Sequence, residues 1–195
     1  MNTMQTAIDP ITLEVVRNKL DGIANEMEQT LPPLASVLAT LRSRGVLLPA
    51  GNLRVGAFGD SADLSRELLA LILAGKKRGG ACLRWSYEAA HEALPGIGDI
   101  EVVLDHQNEP VLITRVTQVD EKAFNQVGAD FAAIEGEGDG SLDYWRQAHW
   151  QYFSRECARL GRTADDSMIV VCETFEIVEV LRHNPGAPHL QAPNT

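Results

Sequence analysis

The chain has 195 residues, a hydrophobic content of 45% and a formal net charge of -10. A chain of this length can bury a substantial core, so one main domain is expected, with room for an appendage. The acidic balance argues against indiscriminate binding to a polyanion, which needs a broad basic surface, so any contact with nucleic acid must rest on a local basic patch.

The first predicted element is an amphipathic helix. Asp9-Pro10 has the composition of a helix N-cap followed by the first helical position, and apolar residues recur at helical spacing over residues 11–31. Such a helix has to bury its apolar face, either on the main domain or on a second copy in a homodimer. Residues 9–31 resemble the N-terminal helix of hydantoinase B/oxoprolinase proteins, but none of their catalytic body follows, so no such activity is implied. We expect residues 1–32 to form a helical appendage.

The middle of the chain mixes helix and strand patterns irregularly. Helices are predicted over residues 34–41, from Asp60 or Ser61 to about Ala74, and from Ser141 onward, with short helical turns over residues 124–134. Residues 46–58 are predicted to be extended. Strands are predicted over residues 81–87, 100–104, 111–119 and 168–181. Strands interrupted by helices, rather than alternating strictly with them, indicate an α+β fold with a small mixed or antiparallel sheet. The polar, proline-punctuated residues 183–195 are predicted to form a disordered tail.

The stretch Gly75–Leu83 places three adjacent cations, Lys76, Lys77 and Arg78, beside glycines. Backbone N–H donors left uncovered by glycine can converge with these charges on one anionic group. The same composition is typical of a helix C-terminus, where cations complement the helix dipole and glycine caps the end. With Arg84, the stretch is the candidate contact for a phosphate or a carboxylate. Neither GxGxxG after a strand nor GxxxxGK[ST] occurs, so both nucleotide-binding fingerprints are missing.

An acidic loop alternates three carboxylates, Glu135, Glu137 and Asp139, with glycines. Such a loop can bind a divalent metal, or one carboxylate with a raised pKa can act as an acid or base. A solvated loop before a helix N-terminus has the same composition, and the flexible glycines argue against preorganised metal ligands. We therefore expect no cofactor, with a divalent metal as the alternative, and we expect Glu135 or Glu137 to meet Lys77.

Aromatic side chains lie near both candidate stretches. Trp145 and His149 are four residues apart on one helical face, and Trp85 follows the basic stretch. An aromatic ring that stacks on a base contributes about 1–3 kcal/mol. Core packing is the favoured explanation for Trp145, and His149 is left between a buried hydrogen-bonding role and a site role. Cys82 is either activated by nearby cations or an inert packing residue.

Cysteine usage and hydropathy favour a cytoplasmic protein. Cys82, Cys157 and Cys172 are odd in number, widely spaced and form no CxxC pair, which predicts neither a disulfide framework nor a zinc knuckle. No apolar run is long enough to span a bilayer, and the polar N-terminus does not have the pattern of a signal peptide.

The order of these motifs resembles that of ASCH-domain proteins, in particular the bacterial stand-alone branch. The motifs that carry the resemblance are Gly59-Asp60-Ser61, Gly75-Lys76-Lys77, Leu83-Arg84-Trp85, Gly98-Asp99, Glu135-Gly136-Glu137-Gly138-Asp139, Ser141-Leu142-Asp143-Tyr144-Trp145-Arg146 and His149-Trp150. The resemblance covers roughly residues 33–182. It implies a PUA-like fold, a small mixed β-barrel flanked by helices, with a cleft where the Gly-Lys stretch meets the barrel mouth.

The same resemblance implies a hydrolase as an alternative function, because some relatives cleave RNA and some hydrolyse the amide of N-acetylated cytidine. The amidohydrolase members use a lysine, a threonine and a glutamate. Lys77 matches the lysine, but Gly80 stands at the threonine position and Gln118 at the glutamate position. Glutamine cannot act as a general base at neutral pH. The resemblance therefore supports the fold and the cleft better than this reaction, and the catalytic candidates that remain are Lys77 and Glu135.

The sequence thus predicts an ASCH domain that recognises a nucleotide-like ligand or a short single-stranded RNA in a cleft headed by Lys77. The predicted ligand-binding residues are Lys76, Lys77, Arg78, Arg84, Trp85, Glu137, Trp145 and His149. Two alternatives are a ribonuclease or amidohydrolase using Lys77 with a loop glutamate, and an interaction module that dimerises through residues 11–31.

Overall fold

The computed structural model describes residues 31–181, so the predicted N-terminal helix and C-terminal tail lie outside the described residues. A five-stranded mixed sheet curls into a half-barrel flanked by helices, which confirms the predicted α+β, PUA-like fold class. The strands are β1 Leu53–Ala57, β2 Gly79–Leu83, β3 Ile100–Leu104, β4 Pro110–Ala123 and β5 Ile169–Val180. The helices are α1 Leu34–Ser43, α2 Ala62–Leu73, α3 Arg84–Ala90, α4 Ala129–Glu135 and α5 Leu142–Arg159, with a 3-10 turn at Phe124–Gln126.

The strand order is β1-β3-β4-β5-β2. β1 pairs with β3 in parallel, and the other three pairs are antiparallel. Because β3 and β5 are both antiparallel to β4, they run in the same direction on its two sides. β2 lies at the other edge of the sheet, where Gly80 is the register partner of Glu173 on β5.

Local signals set the helix boundaries as predicted. The Ser61 side chain accepts a hydrogen bond from the Leu64 amide at the start of α2, and Ser141 accepts one from the Tyr144 amide at the start of α5. Gly75, just after α2, has a φ of 70°, a conformation that glycine adopts without steric cost.

One predicted boundary is wrong. The strand predicted over residues 81–87 begins at Gly79 and ends at Leu83, and α3 follows at once. Leu83 pairs with Val170, and the partner strand β5 begins at Ile169, so the residues after Leu83 have almost no strand left to pair with. The chain satisfies its backbone groups by turning into a helix instead.

Three apolar clusters hold the helices on the sheet. α1 packs Val37 and Leu41 on Val102 and Leu104, which share one face of β3. The second cluster joins α2 to the opposite face of the sheet through Leu69, Ile72, Val103 and Phe175. The third surrounds α5 and includes Phe124, Trp145, Phe153 and Leu83. Because side chains alternate along a strand, β3 contributes to a cluster on each face.

None of the helices within residues 31–181 is long and apolar enough to cross a membrane.

Candidate functional site

A cavity of about 630 Å³ is bounded by α2, α3, α5 and four strands of the sheet. This volume lies in the range of about 300–1,000 Å³ that is usual for ligand pockets. Its aromatic lining consists of Phe58, Tyr87, Tyr144 and Tyr152, and its charged lining includes Arg54, Lys77, Glu101, Glu135, Glu137 and Glu173. Acidic side chains outnumber basic ones around the cavity, so the space suits a ligand with N–H donors better than a bare anion.

Lys77 reaches this cavity from the loop between α2 and β2, with only 2% of its side chain exposed. Its Nζ lies 2.7 Å from Glu137 Oε1 and 3.3 Å from Glu135 Oε1. The predicted meeting of Lys77 with a loop glutamate is therefore seen with both candidates. Burial alone would lower the pKa of Lys77, but the two carboxylates raise it, so the side chain is a fixed ammonium.

The two stretches approach closely because of Gly136, which follows Glu135 at the end of α4. A Cβ at this position would lie 2.5 Å from the Lys76 carbonyl oxygen, and the φ of Gly136 is 60°. Both facts restrict the position to glycine. The glycine lets the acidic loop lie directly on the basic stretch.

Glu135 receives its remaining contacts from α5. The Trp145 indole N–H donates to Glu135 Oε2, and His149 Nε2 lies 3.1 Å from the same oxygen. Trp145 and His149 share one helical face, as predicted, and their rings stack at 4.2 Å. Burial would raise the pKa of Glu135, but Lys77, His149 and Trp145 together lower it to about 2. Glu135 is thus ionised at neutral pH and fully hydrogen-bonded. We call Lys77, Glu135, Glu137, Trp145 and His149 the lysine cluster.

The lysine cluster also contains the one group of potential metal ligands found among the described residues. Ligating atoms of Glu135, Glu137 and His149 all lie within 4.8 Å of one another. The Lys77 ammonium, however, already lies within hydrogen-bonding distance of both carboxylates. A divalent ion would bring a second cation into contact with it, so this set of side chains fits an ammonium better than a metal.

A second polar group lines the cavity and was not predicted. Glu101 lies on β3, Glu173 on β5, and Arg54 on β1. Burial and repulsion from Glu173 raise the pKa of Glu101 to about 8, with Arg54 opposing the shift. Burial likewise raises the pKa of Glu173. Two charged residues inside otherwise apolar strand patterns, at Ile100–Leu104 and in Val170–Phe175, were the available signal.

Five predicted ligand-binding residues do not line the cavity: Trp145, which lies behind Glu135 in the lysine cluster, and Lys76, Arg78, Arg84 and Trp85. Lys76 and Arg78 are exposed on either side of the buried Lys77. Arg84 forms ion pairs with Glu88 at 3.2 Å and with Glu121 at 2.7 Å. The Trp85 ring is covered by the Arg162 guanidinium, 4.5 Å from the ring centroid. Their role in binding stays a prediction, which requires a ligand that extends beyond the cavity.

The positions compared with the amidohydrolases also separate in space. Gly80 is buried, and a Cβ there would lie 3.4 Å from the Phe58 ring, an ordinary contact. Gln118 is exposed on β4 and donates to Asp120 at 2.7 Å, away from the cavity. Cys82 does line the cavity, but burial raises the pKa of its thiol to about 11, so it is protonated rather than nucleophilic at neutral pH.

Comparison with known proteins agrees with this fold. The family model for the ASCH domain matches residues 54–179. The structure is similar to the ASCH domain from Lactobacillus crispatus JV V101, with 37% identity over 65% of this chain and 80% of that one, at a TM-score of 0.62. It is also similar to a protein from Enterococcus faecalis V583, with 29% identity over 73% of this chain and 85% of that one, at a TM-score of 0.62. Among curated proteins, none matches significantly. The chain belongs to the ASCH domain family.

Proposed function

We propose that this ASCH domain binds a nucleotide-like ligand, free or as one nucleotide of a short single-stranded RNA, with the base inside the cavity. The observation that carries the proposal is a ligand-sized cavity lined by both aromatic rings and inward-facing carboxyl groups. Aromatic faces stack on any base at a gain of about 1–3 kcal/mol, and carboxyl groups pair with its N–H donors.

The charges around the cavity favour the base over the phosphate as the inserted group. The Lys77 ammonium is already neutralised by Glu135 and Glu137, and a phosphate would have to displace one of them. Within residues 31–181, Lys76 and Arg78 are exposed cations of the same loop that form no ion pair. We therefore expect phosphates to remain outside the cavity, near these two side chains.

Calorimetric titration with nucleosides, nucleoside monophosphates and short single-stranded oligoribonucleotides tests the proposal. We expect nucleosides to bind, with phosphates adding affinity that weakens as salt rises. A cavity-filling variant, Ala148→Phe, should reduce nucleoside affinity by about tenfold or more, because Ala148 lines the cavity. The matched control is Ala158→Phe, an exposed position on the same helix. Binding of oligoribonucleotides alone, unaffected by Ala148→Phe, would contradict insertion of a base.

A hydrolase is the second candidate, and one observation favours it. Lys77 and Glu135 have pKa values shifted away from neutrality, so neither exchanges a proton readily there. Glu101 has a pKa of about 8 and therefore exchanges a proton readily near neutral pH. Incubation with RNA and modified nucleosides, followed by chromatography, distinguishes turnover from binding. Product formation lost in Glu101→Gln would support an enzyme; binding without product would leave a binding domain.

The third candidate, an interaction module, would dimerise through residues 11–31, most of which lie outside the described residues. Light scattering before and after removal of residues 1–31 gives the number of subunits per particle. An unchanged number of subunits would refute dimerisation through this helix.

A further inference from the structure

Glu101 and Glu173 lie on the same face of the curled sheet. Val103 and Phe175 belong to one apolar cluster under α2. Glu101 and Glu173 each precede one of these residues by two positions, and therefore share its face of the strand. Because β3 and β5 run in the same direction, the two glutamates lie on the same side of the cluster, where the cavity begins.

Neither carboxyl group has a hydrogen-bond or ion-pair partner among residues 31–181. The neighbouring Arg54 contacts other groups: its Nη1 donates to the Ala93 carbonyl oxygen at 3.2 Å, lies 3.8 Å from Asp99, and its guanidinium lies over the Tyr87 ring. Both side chains are half-buried and line the cavity, so a ligand there can reach their carboxyl groups. A ligand in the cavity would supply the missing partners.

Glycines in the flanking strands leave room for these carboxyl groups. A Cβ at Gly56 on β1 would lie 2.3 Å from Glu101 Oε1, and one at Gly80 on β2 would lie 3.7 Å from Glu173 Oε1. The first distance is a clash and the second is an ordinary contact. An alanine at residue 56 would therefore displace the Glu101 carboxyl group, whereas an alanine at residue 80 would leave Glu173 in place.

We propose that Glu101 and Glu173 together hold one proton and recognise a heterocyclic edge that presents an N–H donor beside an acceptor, as the amide and amidine edges of nucleobases do. The ionised carboxylate accepts from the ligand N–H, and the protonated carboxyl group donates to the adjacent acceptor. This proposal rests on the proposed function and names the residues that read the base. It also assigns a binding role to residues outside the conspicuous lysine and acidic-loop motifs.

The raised pKa values of both groups agree with a shared proton, because repulsion from Glu173 raises the pKa of Glu101 and two like charges facing one cavity do not both ionise cheaply. The other titratable or charged groups that face the pair are Arg54, Lys77, Cys82, Tyr87, Asp99 and Glu135. Glu101 and Glu173 both line the cavity, and both have a raised carboxyl pKa. Ligand affinity should therefore fall as the pH rises through about 8, where the donor is lost.

The experiment titrates the protein with the four natural nucleosides and with benzimidazole riboside, which stacks but offers no N–H donor. The best natural nucleoside should bind about tenfold or more tightly than the analogue. Glu101→Gln and Glu173→Gln retain a donor at all pH values and should remove the loss of affinity near pH 8. Glu92→Gln, a change to an exposed carboxylate that also lines the cavity, is the matched control and should keep that loss.

A second pair of variants keeps both carboxyl groups and moves one. Gly56→Ala should weaken the natural nucleoside about tenfold and leave the analogue unchanged, while Gly80→Ala should affect neither. Equal binding of the analogue and the natural nucleosides would overturn this reading while leaving base insertion intact. Failure of every nucleoside to bind would overturn the proposed function, and this proposal with it.

Discussion

Two groups of polar residues line one cavity, and they differ in whether their side chains already have hydrogen-bond partners. In the lysine cluster, Glu135 is contacted by Lys77, Trp145 and His149, and Lys77 is contacted by two carboxylates. Glu101 and Glu173, by contrast, form no hydrogen bond with any residue in the described part of the chain.

This difference separates structural from ligand-binding charges. A buried ion pair with its hydrogen bonds satisfied has little left to offer a ligand, since any new contact must replace an existing one. Unpartnered carboxyl groups gain from a ligand without such a loss. The motif that is most conspicuous in the sequence is therefore the one we expect to hold the cavity wall, and the less conspicuous glutamates are expected to read the ligand.

The largest effect is expected from Lys77→Met. The change leaves Glu135 and Glu137 without their cation, and removal of one partner from a buried pair costs about 3–5 kcal/mol. Urea denaturation measures the free energy of unfolding. Arg84→Met removes the exposed pairs of Arg84 and should cost less than about 1 kcal/mol. Equal losses in both variants would show that the lysine cluster is not a structural element.

Glu101→Gln should act in the opposite direction. A folded-state pKa of about 8, above the ordinary glutamate pKa of 4.5, means that the native protein binds this proton more tightly than the unfolded chain. The associated stability is present at low pH and is lost as the pH rises through about 8. The variant should therefore exceed the wild-type free energy of unfolding by about 1–3 kcal/mol at pH 9 and approach or fall below it near pH 4. A wild-type advantage at pH 9 would contradict the shared proton.

The contribution of Glu135 to stability should depend on pH in the opposite direction to that of Glu101, because acid removes it. Its pKa is lowered to about 2, so its contribution to stability is complete above the ordinary glutamate pKa of 4.5 and is lost as the pH falls toward 2. Thermal denaturation from pH 5 to pH 2 should show a decline that is smaller in Glu135→Gln, a variant that is less stable at neutral pH. Parallel curves for the two proteins would rule out Glu135 as the source of this decline.

A smaller effect is expected from Trp145→Phe. Phenylalanine keeps an aromatic ring on His149 and Phe124 but removes the indole N–H that donates to Glu135. Loss of one hydrogen bond to a buried carboxylate, with some loss of packing, should cost about 1–3 kcal/mol in a thermal or urea unfolding measurement. Trp150→Phe, on an exposed part of the same helix, is the control. Unchanged nucleoside affinity in Trp145→Phe would agree with a structural role for the cluster.

Local sequence was sufficient for much of the fold. Ser61 and Ser141 were predicted at helix starts, and both cap helices, because capping depends on a side chain and the next three residues. The pairing of Lys77 with the acidic loop and the shared face of Trp145 and His149 were also anticipated. The end of β2 at Leu83 was not, because it depends on where β5 begins far along the chain.

By itself, the sequence determined the elements, the family motifs and the residues of the lysine cluster. Only the tertiary structure showed that the charge of Lys77 is already neutralised, that Arg84 and Trp85 do not line the cavity, and that Glu101 and Glu173 share it. The physical reason is the distance along the chain over which each kind of interaction acts. Periodicity and caps act within a few residues, whereas the convergence of charges depends on strand order and register, which join distant parts of the chain.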